Sequence, residues 1–174
     1  MNYSSNLKKS HELILYNNIL SLSRNKLFYT KFALADTFHN RISLIFFHIS
    51  FIIIKLSNGK NKNDYKIFYQ KLFDTVFDQI EINMRELGYG DVTVNKNMKF
   101  LVKSFYNTLF FCEKFNEKKK EYKRTFFNEC FKCNINKKTP NYDNLIDYFH
   151  DFQTFCYDLS SDSVLKGEFN FKFN

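Results

Sequence analysis

The sequence predicts an all-α protein, a single compact bundle of about six to eight helices around one central apolar helix. Four glycines and one proline in 174 residues leave few of the breaks that a sheet of short strands would need. Apolar residues recur three and four positions apart through most of the chain, which is the period of a helix. One domain, residues 1–174, is the expected organisation, because domains commonly hold about 100–200 residues.

Two short helices are expected first, over His11–Leu22 and about Lys26–Leu34, and residues 1–8 are expected to be frayed. Asp36 or Thr37 can cap the central helix, because a short oxygen side chain accepts hydrogen bonds from the first amides of a helix.

The central helix is predicted to run to about Leu56 and is apolar nearly all round from Ile42 onward. Its uncharged part would rise only about 20 Å at 1.5 Å per residue, whereas a bilayer core is about 30 Å thick. We therefore interpret it as the buried centre of a bundle, with His48 as a hydrogen-bonded core histidine.

The stretch Phe68–Tyr106 is predicted to form a long helical hairpin joined by a Gly-x-Gly turn. Its helices are expected at about Asp64–Leu87, after a loop with Gly59 as C-cap, and at about Lys96–Asn116. Gly88 stands where a left-handed C-cap residue is expected. Gly90 is expected to allow a second backbone conformation of the kind that is open mainly to glycine. Val92 and Val94, both β-branched, are expected to be extended, with Asn95 as the next cap.

A helical wheel divides the hairpin into a buried apolar seam formed by both helices, an acidic outer stripe and a basic outer stripe. The first helix has a broad apolar face, and opposite it lies an acidic stripe. The second helix has an apolar line and a basic polar face. The apolar face holds Tyr65, Tyr69, Leu72, Phe73, Val76, Phe77, Ile80, Met84 and Leu87; the acidic stripe holds Asp74, Asp78 and Glu81 with Arg85; the polar face holds Lys96, Lys99, Lys103, Asn107 and Lys114.

The C-terminal third is predicted to be a helical cover over about 119–165. The charge run Glu117–Arg124 is interpreted as a solvated helix start or loop, with an anion-binding patch as the alternative. A short amphipathic helix to about Cys133 follows, and Thr139-Pro140 is expected to start the last long helix, because proline is tolerated in a first turn.

The net charge of +8 favours anionic partners such as RNA or lipid head groups. Cys130 and Cys133 form a lone C-x-x-C, whereas a structural zinc site needs four Cys or His ligands. Without a recognisable signal peptide, disulfides are not expected. Because a Gly-rich phosphate loop, a nucleophile elbow and a metalloprotease signature are also missing from the sequence, we predict no metal, no cofactor, no catalytic residues and no small-molecule substrate.

The hairpin also carries a family resemblance. The matching positions are Leu72-Phe73-Asp74, Phe77, Glu81, Met84-Arg85-Glu86, Gly88, Gly90-Asp91, Val94, Lys99 and Phe105-Tyr106. Over about 36–115 the chain resembles the ubiquinol–cytochrome c chaperone family, assembly factors of respiratory complex III. Gln79 and Glu81 stand where that family prefers two aspartates, and Asn107-Thr108 where it has Gly-Arg.

The resemblance implies a non-catalytic, all-α assembly chaperone whose partner is cytochrome b or a complex III assembly intermediate. A ribosome contact and a peripheral membrane contact are further expectations. The residues expected to bind the partner or to hold the hairpin in its binding shape are Asp74, Asp78, Glu81, Arg85, Glu86, Asp91, Lys99, Lys103 and Tyr106, with Gly88 and Gly90 setting the turn.

Three further expectations concern location and alternatives. No arginine-rich presequence is evident, so we expect a bacterial cytoplasmic protein at the inner membrane, or the matrix side if eukaryotic. The alternative function is a basic helical RNA- or ribosome-binding protein. An enzyme with Asp74, Asp78 and Glu81 as metal ligands is disfavoured, because this stripe is expected to lie open to water without a pocket.

Overall fold

The computed structural model of the protein describes residues 10–58, 62–132 and 140–173. All regular structure in these three ranges is helical, which confirms the predicted all-α bundle. The helices are α1 His11–Ser23, α2 Leu27–Thr30, α3 Phe38–Ser57, α4 Lys62–Glu86, α5 Asp91–Cys112, α6 Lys120–Cys130, α7 Tyr142–Asp158 and α8 Ser161–Leu165, with a 3₁₀ turn at Phe115–Glu117 between α5 and α6.

Helix α3 is the predicted central helix, and α1, α4, α5, α7 and α8 all pack against it. It begins after Thr37, whose hydroxyl accepts a hydrogen bond from the Asn40 amide at 3.2 Å. Within the described ranges, α3 alone has the length and apolar composition to cross a bilayer, but 78% of that stretch is buried inside the bundle. Its apolar surface is therefore covered by protein.

The core is one continuous hydrophobic cluster rich in phenylalanine. Phe47 of α3 lies at its centre, with ring centroids 5.1 Å from Phe127 and 5.0 Å from Phe149. His48 is fully buried and hydrogen-bonded, as predicted. Since most of the described phenylalanine and tyrosine residues are buried in this cluster or packed against it, most of the aromatic content serves packing, not the stacking of bases.

The hairpin boundaries differ from the prediction at three points. Helix α5 begins at Asp91, not Lys96, so Val92 and Val94 are helical. Burial of the Val94 side chain against the core outweighs the extended preference of β-branched residues. Leu87, predicted on the apolar face, is 61% exposed. Helix α5 also ends at Cys112, and Lys114 turns the chain with a φ of 53°.

The C-terminal part also needs correction. Helix α7 begins at Tyr142, not at Thr139-Pro140: Asn141 is its N-cap, with a side chain that accepts from the Asn144 amide at 3.1 Å, and Pro140 lies just outside the helix. The cap expected at Gly59, Cys133, Thr139 and residues 1–8 lie outside the described residues.

The tail beyond α8 packs against the core, although the sequence shows only a short mixed segment. Phe171 packs against Tyr148 and Phe152, with centroids 5.5 and 5.1 Å away. Gly167, at φ +74°, lies so close to α1 that a Cβ would stand 2.8 Å from the His11 carbonyl oxygen. The close approach therefore requires glycine here.

Candidate functional site

The turn between α4 and α5 is a Schellman motif. The Tyr89 amide donates to the Met84 carbonyl at 3.1 Å, and the Gly88 amide donates to the Arg85 carbonyl at 2.9 Å. Gly88 has a φ of +85°, the left-handed conformation expected of it. Gly90 has a φ of −72°, so it does not adopt the second special conformation and acts as the N-cap of α5.

Arg85 bridges the two helices across this turn. Its guanidinium lies 2.8 Å from the Glu81 carboxylate one turn back on α4, and it also bonds the carboxylate of Asp91 at the start of α5. These hydrogen bonds, Asp91 first, raise the pKa of Arg85. All three residues were predicted as partner-binding, and the structure brings them together as one exposed network around the turn.

The other predicted residues are dispersed. Asp74 and Asp78 are exposed on the outer surface of α4. Glu86 lines a separate cavity of about 220 Å³ between α1, α3 and α4. Tyr106 lies at the α4–α5 seam, 6.0 Å from the Phe73 ring, and burial, followed by the neighbouring Tyr106 hydroxyl, raises the pKa of Tyr69. Lys99 and Lys103 are exposed on α5, and in the described parts of the chain no ion pair joins them to the α4 acids.

The exposed side of α5 carries large apolar side chains among its lysines. At 100° per residue, its members fall within about 100° of arc, and the surface is about 27 Å long. We call this surface the α5 outer face: Val92, Lys96, Lys99, Phe100, Lys103, Asn107 and Phe110. Val92 is 84% exposed, Phe110 73% and Phe100 59%.

A groove runs along one edge of this face, between α5 and the elements α3 and α6. Two neighbouring cavities of about 430 and 320 Å³ lie on either side of Phe100 and share His39 as a lining residue. We call them together the α5 groove. The larger cavity also contacts Tyr89 of the turn and Lys132, and the smaller one is lined by Lys103, Asn107, Phe126 and Glu129 among others.

Two polar side chains of α3 fasten the far wall of the α5 groove. His39 Nε2 donates to the Cys130 carbonyl oxygen at 3.0 Å, and burial lowers the pKa of His39. The buried Asn40 donates to the Lys132 carbonyl at 2.9 Å and accepts from the Lys132 amide at 2.8 Å. These hydrogen bonds fix the C-terminal end of α6 and Lys132 to α3, so this side of the groove has a defined position.

The charge run Glu117–Arg124 is the predicted solvated helix start, because α6 begins at Lys120 and most of the run is exposed, but several of its cations contact other parts of the protein. Lys123 is buried, with Nζ 4.2 Å from the centre of the Phe115 ring, and burial lowers its pKa. Arg124 makes a bidentate pair with Asp143 at 2.7 and 2.8 Å, and Lys118 donates to the Glu113 carbonyl. Most of its cations are thus engaged within the protein, which weakens the alternative of an anion-binding patch.

The described residues contain no group of three or more histidine, cysteine or acidic side chains placed to hold a metal ion. Burial raises the pKa of Cys130 to about 12, so this thiol stays protonated at neutral pH. Burial likewise raises the pKa of Cys112 and Cys156. These three thiols therefore lack the thiolate character that a nucleophile needs.

Two features of this region were not predicted from the sequence: the apolar members of the α5 outer face and the α5 groove. The signal for the first was present, because the wheel that placed Lys96 and Lys103 on the polar face also places Phe100 and Phe110 there. The groove had no such signal, since His39 and Phe126 come from helices distant in the chain.

Comparison with known proteins agrees with this architecture. The family described as ubiquinol-cytochrome C chaperone matches residues 30–171, well beyond the stretch 36–115 that carries the resemblance in sequence. The crystal structure of the Cbp3 homolog from Brucella abortus superposes with a TM-score of 0.77 at 22% identity, covering 94% of this chain and 89% of that one. At this identity the likeness shows the fold. No curated protein matches the chain. Because the family match covers most of its length, the chain belongs to the ubiquinol-cytochrome C chaperone family.

Proposed function

We propose that this protein is a non-catalytic assembly chaperone of ubiquinol–cytochrome c reductase, respiratory complex III. The observation that carries the proposal is the family match over residues 30–171. The client is newly made cytochrome b or an assembly intermediate that contains it. Because that client is a membrane protein, we place the chaperone at the membrane surface, on the cytoplasmic side of a bacterial inner membrane or the matrix side if the cell is eukaryotic.

The α5 groove is the part of the described surface that best suits such a client. It is a concave feature of mixed polarity: Phe100 lines both cavities, Ile42, Leu101 and Phe126 add apolar surface, and Lys103 and Glu129 are among the polar lining residues. Apolar segments of an unassembled membrane protein need a partner that covers them until their own neighbours arrive. Tyr89, in the turn between α4 and α5, lines the larger cavity of the groove. The ion pairs of Arg85 that join the two sides of this turn therefore also shape one end of the groove.

Site-specific photocrosslinking in cells tests the proposal. A photoreactive residue at Phe100 or Asn107 should capture cytochrome b, whereas one at Ile67, exposed on α4, should not. Complex III should also fall in cells that lack the protein. Normal complex III levels in such cells would contradict the function, whereas capture of cytochrome b at Ile67 alone would move the client site away from the groove.

A basic RNA- or ribosome-binding protein is the second candidate. The exposed lysines Lys96, Lys99 and Lys103 favour it, because ammonium groups bind phosphates. Its test is the affinity of the purified chain for RNA and for ribosomes at physiological salt. Negligible affinity for both would exclude this candidate, and a ribosome contact would be compatible with the chaperone function.

A further inference from the structure

The α5 outer face combines exposed apolar and cationic side chains in an order that suits a boundary between water and lipid. Val92, Phe100 and Phe110 are spaced along the helix, and Lys96, Lys99 and Lys103 lie between them. A helix that lies in a membrane interface has this composition: apolar groups enter the acyl boundary, while lysine stems lie along it and keep their ammonium groups at the head groups.

The charged residues of this face are all lysines, so its charge is positive. Asp91, the one acid within α5, falls at the helix start and outside the arc of the face. Across the residues that the structure describes, no carboxylate lies within 4 Å of the ammonium groups of Lys96, Lys99 or Lys103. Unpaired cations on an apolar surface are complementary to anionic lipid, because the negative surface potential of such a membrane attracts them.

Phe100 and Phe110 suit either lipid or RNA, since aromatic rings also stack on bases, whereas the aliphatic Val92 and its neighbour Leu87 favour lipid as the occupant. Val92 is the most exposed of the large apolar residues found at the described surface, and Leu87 is exposed close by in the preceding turn. Aliphatic side chains have no π-face on which a base could stack. Both side chains lose contact with water when they enter the acyl boundary of a bilayer.

We propose that the α5 outer face is a membrane-contact surface that binds anionic phospholipid head groups, with Phe110 and Val92 entering the interface. Helix α5 then lies along the membrane. The proposal does not depend on the client: lipid binding and cytochrome b binding are measured separately, so either can fail while the other stands.

Flotation of the full chain with phospholipid vesicles tests the proposal. The protein should float with vesicles of phosphatidylcholine containing phosphatidylglycerol and stay behind with phosphatidylcholine alone. The double variant Lys96→Gln/Lys103→Gln should bind about 25-fold more weakly, since each lysine near an anionic surface contributes about fivefold. Phe110→Ser should weaken binding about tenfold or more. The matched control is Ile67→Ser/Lys71→Gln, which alters one exposed apolar residue and one exposed lysine on α4.

A single tryptophan reports directly on insertion, because the chain contains none. The fluorescence of Phe110→Trp should shift to the blue on addition of anionic vesicles, and that of Ile67→Trp should not. Circular dichroism of each variant establishes that it remains helical. Absent binding to anionic vesicles, equal shifts at both positions, or RNA binding that Phe110→Ser leaves unchanged while vesicles fail to bind would each overturn the proposal.

Discussion

His48 and Tyr148 stand one hundred residues apart and share a buried hydrogen bond of 2.7 Å between Nε2 and the hydroxyl oxygen. The Leu44 carbonyl lies 2.6 Å from His48 Nδ1 and can only accept, so Nδ1 carries the proton and Nε2 accepts from Tyr148. Helix α7 is thereby joined to the middle of α3 by a polar contact inside an apolar core.

Replacement of the tyrosine tests this contact. In Tyr148→Phe the ring packing is kept, but the buried Nε2 loses its donor, which should lower the free energy of unfolding by about 1–3 kcal/mol. Tyr122→Phe removes a hydroxyl at an exposed position and should change it by less than about 0.5 kcal/mol. Urea unfolding of both variants measures the difference, and equal values would contradict the importance of the bond.

Acid should destabilise the fold through His48. Burial lowers the pKa of His48 to about 4, whereas in an unfolded chain it is about 6.5. The unfolded chain therefore binds the proton first, so this contribution to stability is complete above pH 6.5 and is lost as the pH falls towards 4. The loss should reach about 3 kcal/mol at pH 4.

The control for this pH effect is a variant that cannot titrate. His48→Gln is expected to be less stable at neutral pH, but its stability should fall less between pH 6.5 and pH 4. Subtracting its profile from that of the wild type removes the contribution of the carboxylates. Parallel profiles would mean that His48 does not carry the effect.

The two glycines of the turn should respond differently to alanine. Gly88→Ala places a side chain at a φ of +85°, which should cost about 1–2 kcal/mol. Gly90→Ala should stay within about 0.5 kcal/mol of the wild type, because its φ is ordinary and a Cβ there meets nothing within 4 Å. Thermal unfolding of the pair provides the comparison, and similar losses would refute the assignment of the turn.

The Arg85 ion pairs at the α4–α5 turn should affect the binding of cytochrome b more than the free energy of unfolding. Exposed ion pairs stabilise a fold little, so Arg85→Ala and Asp91→Asn should unfold almost as the wild type does. Each should reduce the capture of cytochrome b from detergent extracts several-fold, and the double variant no further than Arg85→Ala, because that single change already removes the Arg85–Asp91 pair. Arg124→Ala, which breaks another exposed bidentate pair, is the control. Independent effects of the two single changes would show that they contact the client separately.

The hairpin shows what local sequence predicts well and where it fails. The period of apolar residues placed Leu72, Val76 and Ile80 of α4 in the core, and all three are buried. The preference of Val92 and Val94 for extended structure misled the prediction of the α5 start, because a weak local preference yields to burial of one side chain. Partner binding by the predicted site residues stays a prediction.

By itself the sequence determined the helical class, the central position of α3, the glycine that ends α4 and the family resemblance. These features depend on residues a few positions apart, whose spacing decides which side of a helix is apolar. Only the tertiary structure decided that His48 is hydrogen-bonded to Tyr148, that Asn40 is hydrogen-bonded to the backbone of Lys132, and that the α5 groove lies beside Phe100. Such contacts join residues roughly a hundred positions apart, and their partners are selected by how whole helices pack against one another.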